Sequence, residues 1–136
     1  PYLRNVLAAR PTFSMARREL GRALIRTRRP EVAVTVFRRV AEVHPYSVEA
    51  LTDLGVAMVA AGQEEEAQQP LERALKLEPE NVSALYHLAL AHASENEAGR
   101  SLAIEYLQRV VSLDPGHRDA VAVLRAMENS DQPLED

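Results

Sequence analysis

Four histidines, a run of glutamates and a series of arginines are the reactive groups of this chain, and their spacing does not suit catalysis. The histidines are His44, His87, His92 and His117. Two imidazoles that share a helical face to hold a metal stand four residues apart. His87 and His92 stand five apart, and no H-E-x-x-H motif occurs. The five glycines never cluster into a phosphate-cradling loop, and there is no G-x-S-x-G nucleophile elbow. The absence of cysteine removes disulfides, thiolate nucleophiles and cysteine zinc sites. Glu64, Glu65 and Glu66 open a predicted helix, where carboxylates complement the macrodipole, a structural role rather than an acid–base one. The chain is therefore read as a non-enzyme that needs no cofactor and no metal.

The arginines carry a different chemistry. Arg18, Arg22 and Arg26 recur every four residues, which stacks them on one helical face. Such a ladder can grip carboxylates or phosphates, bidentately where geometry permits. Alternatively, Glu49 and Asp53 on a neighbouring helix pair with it, a common and individually weak arrangement. Charge is lopsided along the chain. Residues 1–39 hold ten arginines against two glutamates, whereas residues 40–136 hold eighteen acids against five arginines and one lysine. This dipole would steer an acidic partner to one end, or favour head-to-tail self-association into a homo-oligomer. Arg28-Arg29 and Arg38-Arg39 add basic pairs that would suit nucleic acid. A net charge of −4 and only 4% aromatic residues for base stacking disfavour that partner.

The elements that must hold these groups are read from a repeat. Pro45, Pro79 and Pro115 are separated by 34 and 36 residues, and Pro11 falls 34 before the first. The flanking text repeats in phase: FRRVAEVHP, LERALKLEP and LQRVVSLDP. Each run places a large apolar residue (Phe37, Leu71, Leu107) eight before its proline. Ala33, Ala67 and Ala103 each stand four before that residue. Further upstream come Leu20-Gly21, Leu54-Gly55 and Leu88-Ala89, a large residue followed by a very small one. At a close crossing of two helices one side chain must be tiny, so these pairs predict tightly crossed helix hairpins.

These residues resemble the tetratricopeptide repeat, a 34-residue helix–turn–helix with a Leu-Gly pair, then Ala-x-x-x-Phe, then Pro. Val48 to Glu80 is the best copy, with Leu51, Leu54, Gly55, Met58, Gly62, Ala67, Leu71, Ala74 and Pro79 in place. Arg17, Leu51 and Leu85 stand where the family often has Trp, and Leu24, Met58 and His92 where it often has Tyr. Pro70 falls inside a second helix, where a bend or a loosened first turn is expected.

The resemblance implies an all-α fold, a right-handed α-solenoid of antiparallel helix pairs. Residues 1–11 read as the tail of a truncated repeat, and 12–45, 46–79 and 80–115 as repeats. The last carries a two-residue insertion, placed in the loop around Glu95 to Ser101. Residues 116–129 read as a capping helix, with Val121, Leu124 and Met127 at helical spacing, and 130–136 as a polar tail. Predicted helices run over about 1–9, 12–27, 31–43, 47–60, 64–77, 81–95, 100–112 and 117–129. Pro30 suits a helix start and Asn81 an N-cap. The chain starts at Pro1 in mid-repeat and reads as a fragment of a longer protein. No apolar run approaches the ~20 residues of a membrane span, and a cytoplasmic location is expected.

The resemblance further implies a concave groove lined by the first helix of each repeat. Repeat phase assigns to it Met15, Arg18, Glu19, Arg22 and Arg26, then Glu49, Thr52, Asp53, Val56 and Ala60, then Ser83, Tyr86, His87 and Leu90. Asp119, Ala122 and Val123 of the cap complete it. The expected function is protein–protein interaction: a scaffold or adaptor that captures a peptide or helix, with an acidic partner favoured. Alternatives are a self-assembly module and a substrate-selecting arm of a larger enzyme. One subtype of the family clamps acidic chaperone tails with Lys and Asn. Here Arg18 and Arg22, then Asp53, then Ser83 and His87 hold those places, which weighs against that clamp.

Overall fold

The computed structural model describes residues 14–130, with side chains from Glu19 onward. The predicted helix at 1–9 and the tail 131–136 lie outside the described residues. Seven helices follow one another: α1 (Ser14–Arg26), α2 (Pro30–Val43), α3 (Val48–Ala60), α4 (Glu64–Leu77), α5 (Val82–His92), α6 (Glu97–Leu113) and α7 (Arg118–Ser130). No strand occurs among the described residues. The fold is the expected α-solenoid.

Caps set the helix starts. Pro30 opens α2, where its missing N–H costs nothing. The Ser47 hydroxyl accepts from the Ala50 N–H at 3.2 Å, and the Asn81 side chain from the Ala84 N–H at 2.8 Å. The His117 imidazole fills the same place for α7, with Nδ1 accepting from the Ala120 N–H at 3.0 Å. Ser47, Asn81 and His117 each lie two residues after a repeat proline, so the cap slot belongs to the period. Asn81→Ala is expected to lower stability by about 1 kcal/mol. A reduced urea midpoint at unchanged slope would show it; an unchanged midpoint would mean that water serves the Ala84 N–H equally well.

The small–large pairs meet as the sequence implies. A Cβ on Gly21 would lie 2.3 Å from the Phe37 ring, and one on Gly55 would lie 2.4 Å from the Leu71 side chain. Ala89, Ala103 and Leu107 are fully buried together in the third pair. Two apolar clusters result. One is built on Phe37, Leu54, Met58 and Leu71, the other on Leu85, Leu107, Val110 and Met127, and Leu75 and Tyr106 touch both. Each helix packs on the next, and α1 also touches α3 as α3 touches α5. First helices thus form one continuous inner row.

A polar device locks successive pairs together. Arg73 of α4 donates to the Pro45 carbonyl at 3.0 Å, and Arg109 of α6 donates to the Pro79 carbonyl at 2.9 Å. Each guanidinium reaches back one repeat and satisfies a turn carbonyl that no helix uses.

One feature, the two-residue insertion, differs in part from the sequence expectation. The insertion lengthens the loop between α5 and α6 by only one residue, to the four of 93–96 against the three of 61–63. Asn96 caps α6 by accepting from the Gly99 N–H, so the helix begins at Glu97 and has 17 residues against 14 in α2 and α4. The α5 helix has 11 residues against 13 in α3. The extra residues become an added turn of α6, and Gly99 makes room for it: a Cβ there would lie 2.8 Å from the His92 carbonyl oxygen. At Pro70, α4 continues without a break from Glu64 to Leu77. His92 fills its expected packing place, buried with its ring stacked 6.2 Å from Tyr106 and Nδ1 3.3 Å from Glu95 Oε2.

Candidate functional site

The residues assigned to the groove from the three repeats lie on α1, α3 and α5. Arg18 and Met15 belong to α1, but their side chains lie outside those described. Arg22 is half-exposed and engaged twice: NH1 lies 3.3 Å from Glu19 Oε1, and NH2 lies 3.9 Å from Asp53 Oδ1. The Asp53 side chain is only 13% exposed, so this contact is shielded more than a surface pair. The pairing across neighbouring helices that the sequence offered as an alternative is therefore made at Arg22. Arg26 ends α1 and is exposed, and Glu49 is exposed at the start of α3. Val56 of α3 and Leu90 of α5 are half-buried and apolar.

A second cluster gathers where α5 meets the start of α7. The Tyr86 ring lies 5.1 Å from His87, edge-on at 84°, and 4.7 Å from His117, tilted by 43°. His87 Nδ1 is 2.8 Å from the Ser83 carbonyl, which can only accept, so Nδ1 carries the proton and Nε2 is left as an acceptor. His117 has the opposite tautomer, because its Nδ1 accepts from the Ala120 N–H. Burial pushes the His87 imidazole below its ordinary value; the Ser83 carbonyl raises it, and His117 lowers it further. His87 therefore stays neutral at pH 7. Burial, helped by the Asp119 carboxylate, raises the Tyr86 phenol. The outcome is an aromatic platform with a neutral imidazole acceptor and an uncharged phenol, suited to aliphatic or amide groups.

The structure thus brings Arg22 to Asp53, and Tyr86 to His87. His117 was not among the residues assigned to the groove, because the sequence places it only in a turn beside Pro115. Its slot two residues after the proline, shared with Ser47 and Asn81, was the available signal. A separate open cleft lies between α2 and α4, with Leu51, Met58 and Pro70 as its floor and Arg38, Glu42 and Arg73 on its rim. Its floor is core, and its Arg73 is committed to the Pro45 carbonyl. Among the described residues no three His, Asp or Glu side chains converge to hold a metal, and no helix is long and apolar enough to cross a membrane.

Comparison with known proteins adds the relatives. Two family profiles, both described as tetratricopeptide repeat, match residues 28–92 and 1–48. No curated protein sequence matches the chain. Among solved structures, the chain is similar to MamA, with 24% identity, a TM-score of 0.77, and 93% of this chain and 73% of that one covered. It is similar to the first TPR of Spaghetti (RPAP3) bound to the HSP90 peptide SRMEEVD, at 16% identity and a TM-score of 0.78, covering 89% and 94%. It is also similar to the Yersinia enterocolitica type III secretion chaperone SycD in complex with a peptide of the translocator YopD, at 15% identity and a TM-score of 0.74, covering 89% and 96%.

Proposed function

The chain belongs to the tetratricopeptide repeat family, and from that premise we propose that it is a protein-interaction module whose inner row of helices holds a peptide or helical segment of a partner. The observation that carries this reading is the continuous face formed by α1, α3 and α5, on which Val56, Tyr86 and Leu90 sit half-buried beside the polar groups Asp53 and His87. Half-buried aromatic and apolar side chains on a rigid surface are the anchors that short segments use. Two of the similar structures, those of Spaghetti (RPAP3) and SycD, were solved with a peptide bound, which supports the same reading. Arg22, Asp53, Tyr86 and His87 supply polar contacts, and Val56 and Leu90 the apolar floor. Arg18, Arg26 and Glu49 would extend the site toward its first end.

The test is to select peptides from a random library on the 136-residue chain and measure the best binder against variants. Tyr86→Ala and Leu90→Asp are each expected to weaken it about fivefold, the loss of an anchor worth about 1 kcal/mol. Both side chains are half-buried, so helical content and melting serve as the folding control. Selected peptides that bind both variants as tightly as the parent would refute the groove.

A further inference from the structure

The turn between α1 and α2 is built like the turn between α3 and α4, one repeat later, but with a residue that does not suit it. In both turns the helix ends in the same pair of bonds. Arg28 N–H donates to the Ile25 carbonyl at 3.0 Å and Arg29 N–H to the Leu24 carbonyl, just as Gly62 N–H donates to Val59 at 3.1 Å and Gln63 N–H to Met58 at 2.8 Å. The residue before the last donor must adopt the left-handed conformation. Gly62 does so at φ +77° without strain, but Arg28 does so at φ +60°. An arginine there is strained, and a glycine would relieve it. Backbone strain that is kept in place commonly serves a function.

The side chains around that strained residue supply one. Arg26, Arg28 and Arg29 are all exposed, and none forms a salt bridge among the described residues, in contrast to Arg22. Glu31 is the only acid between residues 26 and 39, against five arginines. Cations near a helix C-terminus complement its dipole, and Arg26 meets that need with ordinary helical backbone. That role therefore does not account for Arg28. We infer that Arg26, Arg28 and Arg29 form a carboxylate-gripping turn that binds an acidic segment of a partner protein at the edge of the groove. This rests on the reading that the chain binds protein segments. Three planar guanidinium forks on one tight turn match a run of Asp or Glu side chains. Nucleic acid fits less well, because residues 19–36 offer no aromatic side chain for stacking and the chain as a whole is acidic.

The experiment uses the whole chain and a labelled oligoglutamate peptide as probe, read by fluorescence anisotropy. Arg28→Gly removes the guanidinium and the strain together, so loss of binding cannot come from loss of folding. It is expected to raise the melting temperature by about 4 °C while weakening the peptide about fivefold. Arg29→Ala should weaken the peptide similarly without the thermal gain. A thermal gain for Arg28→Gly with unchanged peptide affinity would overturn the inference. So would an oligouridylate of equal charge that binds more tightly and is weakened equally, or self-association that Arg28→Gly abolishes while the peptide fails to compete. If Tyr86→Ala weakens library-selected peptides while Arg28→Gly leaves the oligoglutamate unaffected, the groove stands and only the turn site falls.

Discussion

Phe37→Ala is expected to remove about 3–5 kcal/mol of stability, the cost of emptying a fully enclosed aromatic site. Phe37 is 1% exposed and its ring fills the space that Gly21 leaves open. Domains of this size hold only about 5–15 kcal/mol in all, so the variant should melt far below the parent. The specific claim is the pairing with Gly21. Gly21→Ala alone should destabilise by about 1–2 kcal/mol, because the enclosed ring cannot retreat from a Cβ placed 2.3 Å away. That outweighs the roughly 1 kcal/mol of helix propensity gained. In the Phe37→Ala background the clash is absent and the sign should reverse, leaving a coupling of about 2 kcal/mol in a double-mutant cycle. Additive effects would show that the two helices adjust independently and that the close crossing is not set by this pair.

Pro70→Ala is expected to raise stability by about 1–2 kcal/mol, measured by urea unfolding. Pro70 is the seventh residue of the 14 in α4, well past the first turn where proline is harmless. It gives the Glu66 carbonyl no N–H, and a proline in a helix interior costs about 3 kcal/mol relative to alanine. Two terms oppose the gain: about 1 kcal/mol of lost burial on the cleft floor and about 0.5 kcal/mol of lost stiffening in the unfolded chain. A destabilised variant would mean that burial of the ring outweighs the missing bond.

Much of this architecture was legible because the repeat writes the same contact several times. One small residue or one proline says little, but Gly21, Gly55 and Ala89 in phase with Phe37, Leu71 and Leu107 name both sides of each helix crossing. Helix ends were less legible. Asn81 and Pro30 announce their roles by residue type, whereas an imidazole in a cap slot does not, and His117 passed as a turn residue. The insertion was placed in the right segment but read as loop, for a related reason. Counting residues shows that two are extra but not whether Asn96 will cap a helix at Glu97 and convert loop into an added turn. At the candidate site, spacing offered Asp53 as one possible partner of the arginine ladder but could not choose it.

The sequence by itself determined the period, the helix pairs and which small and large residues meet at each crossing, because these follow from spacing along one chain. Only the tertiary structure decided the electrostatics and the strain. Arg22 meets Asp53 across two helices, 31 residues apart, and Arg73 and Arg109 reach back 28 and 30 residues to the Pro45 and Pro79 carbonyls. Such pairings depend on side-chain reach between packed elements, which no local pattern encodes. The left-handed backbone at Arg28 is the sharpest case: its residue type argues against that conformation, and the turn closed by bonds to Leu24 and Ile25 imposes it.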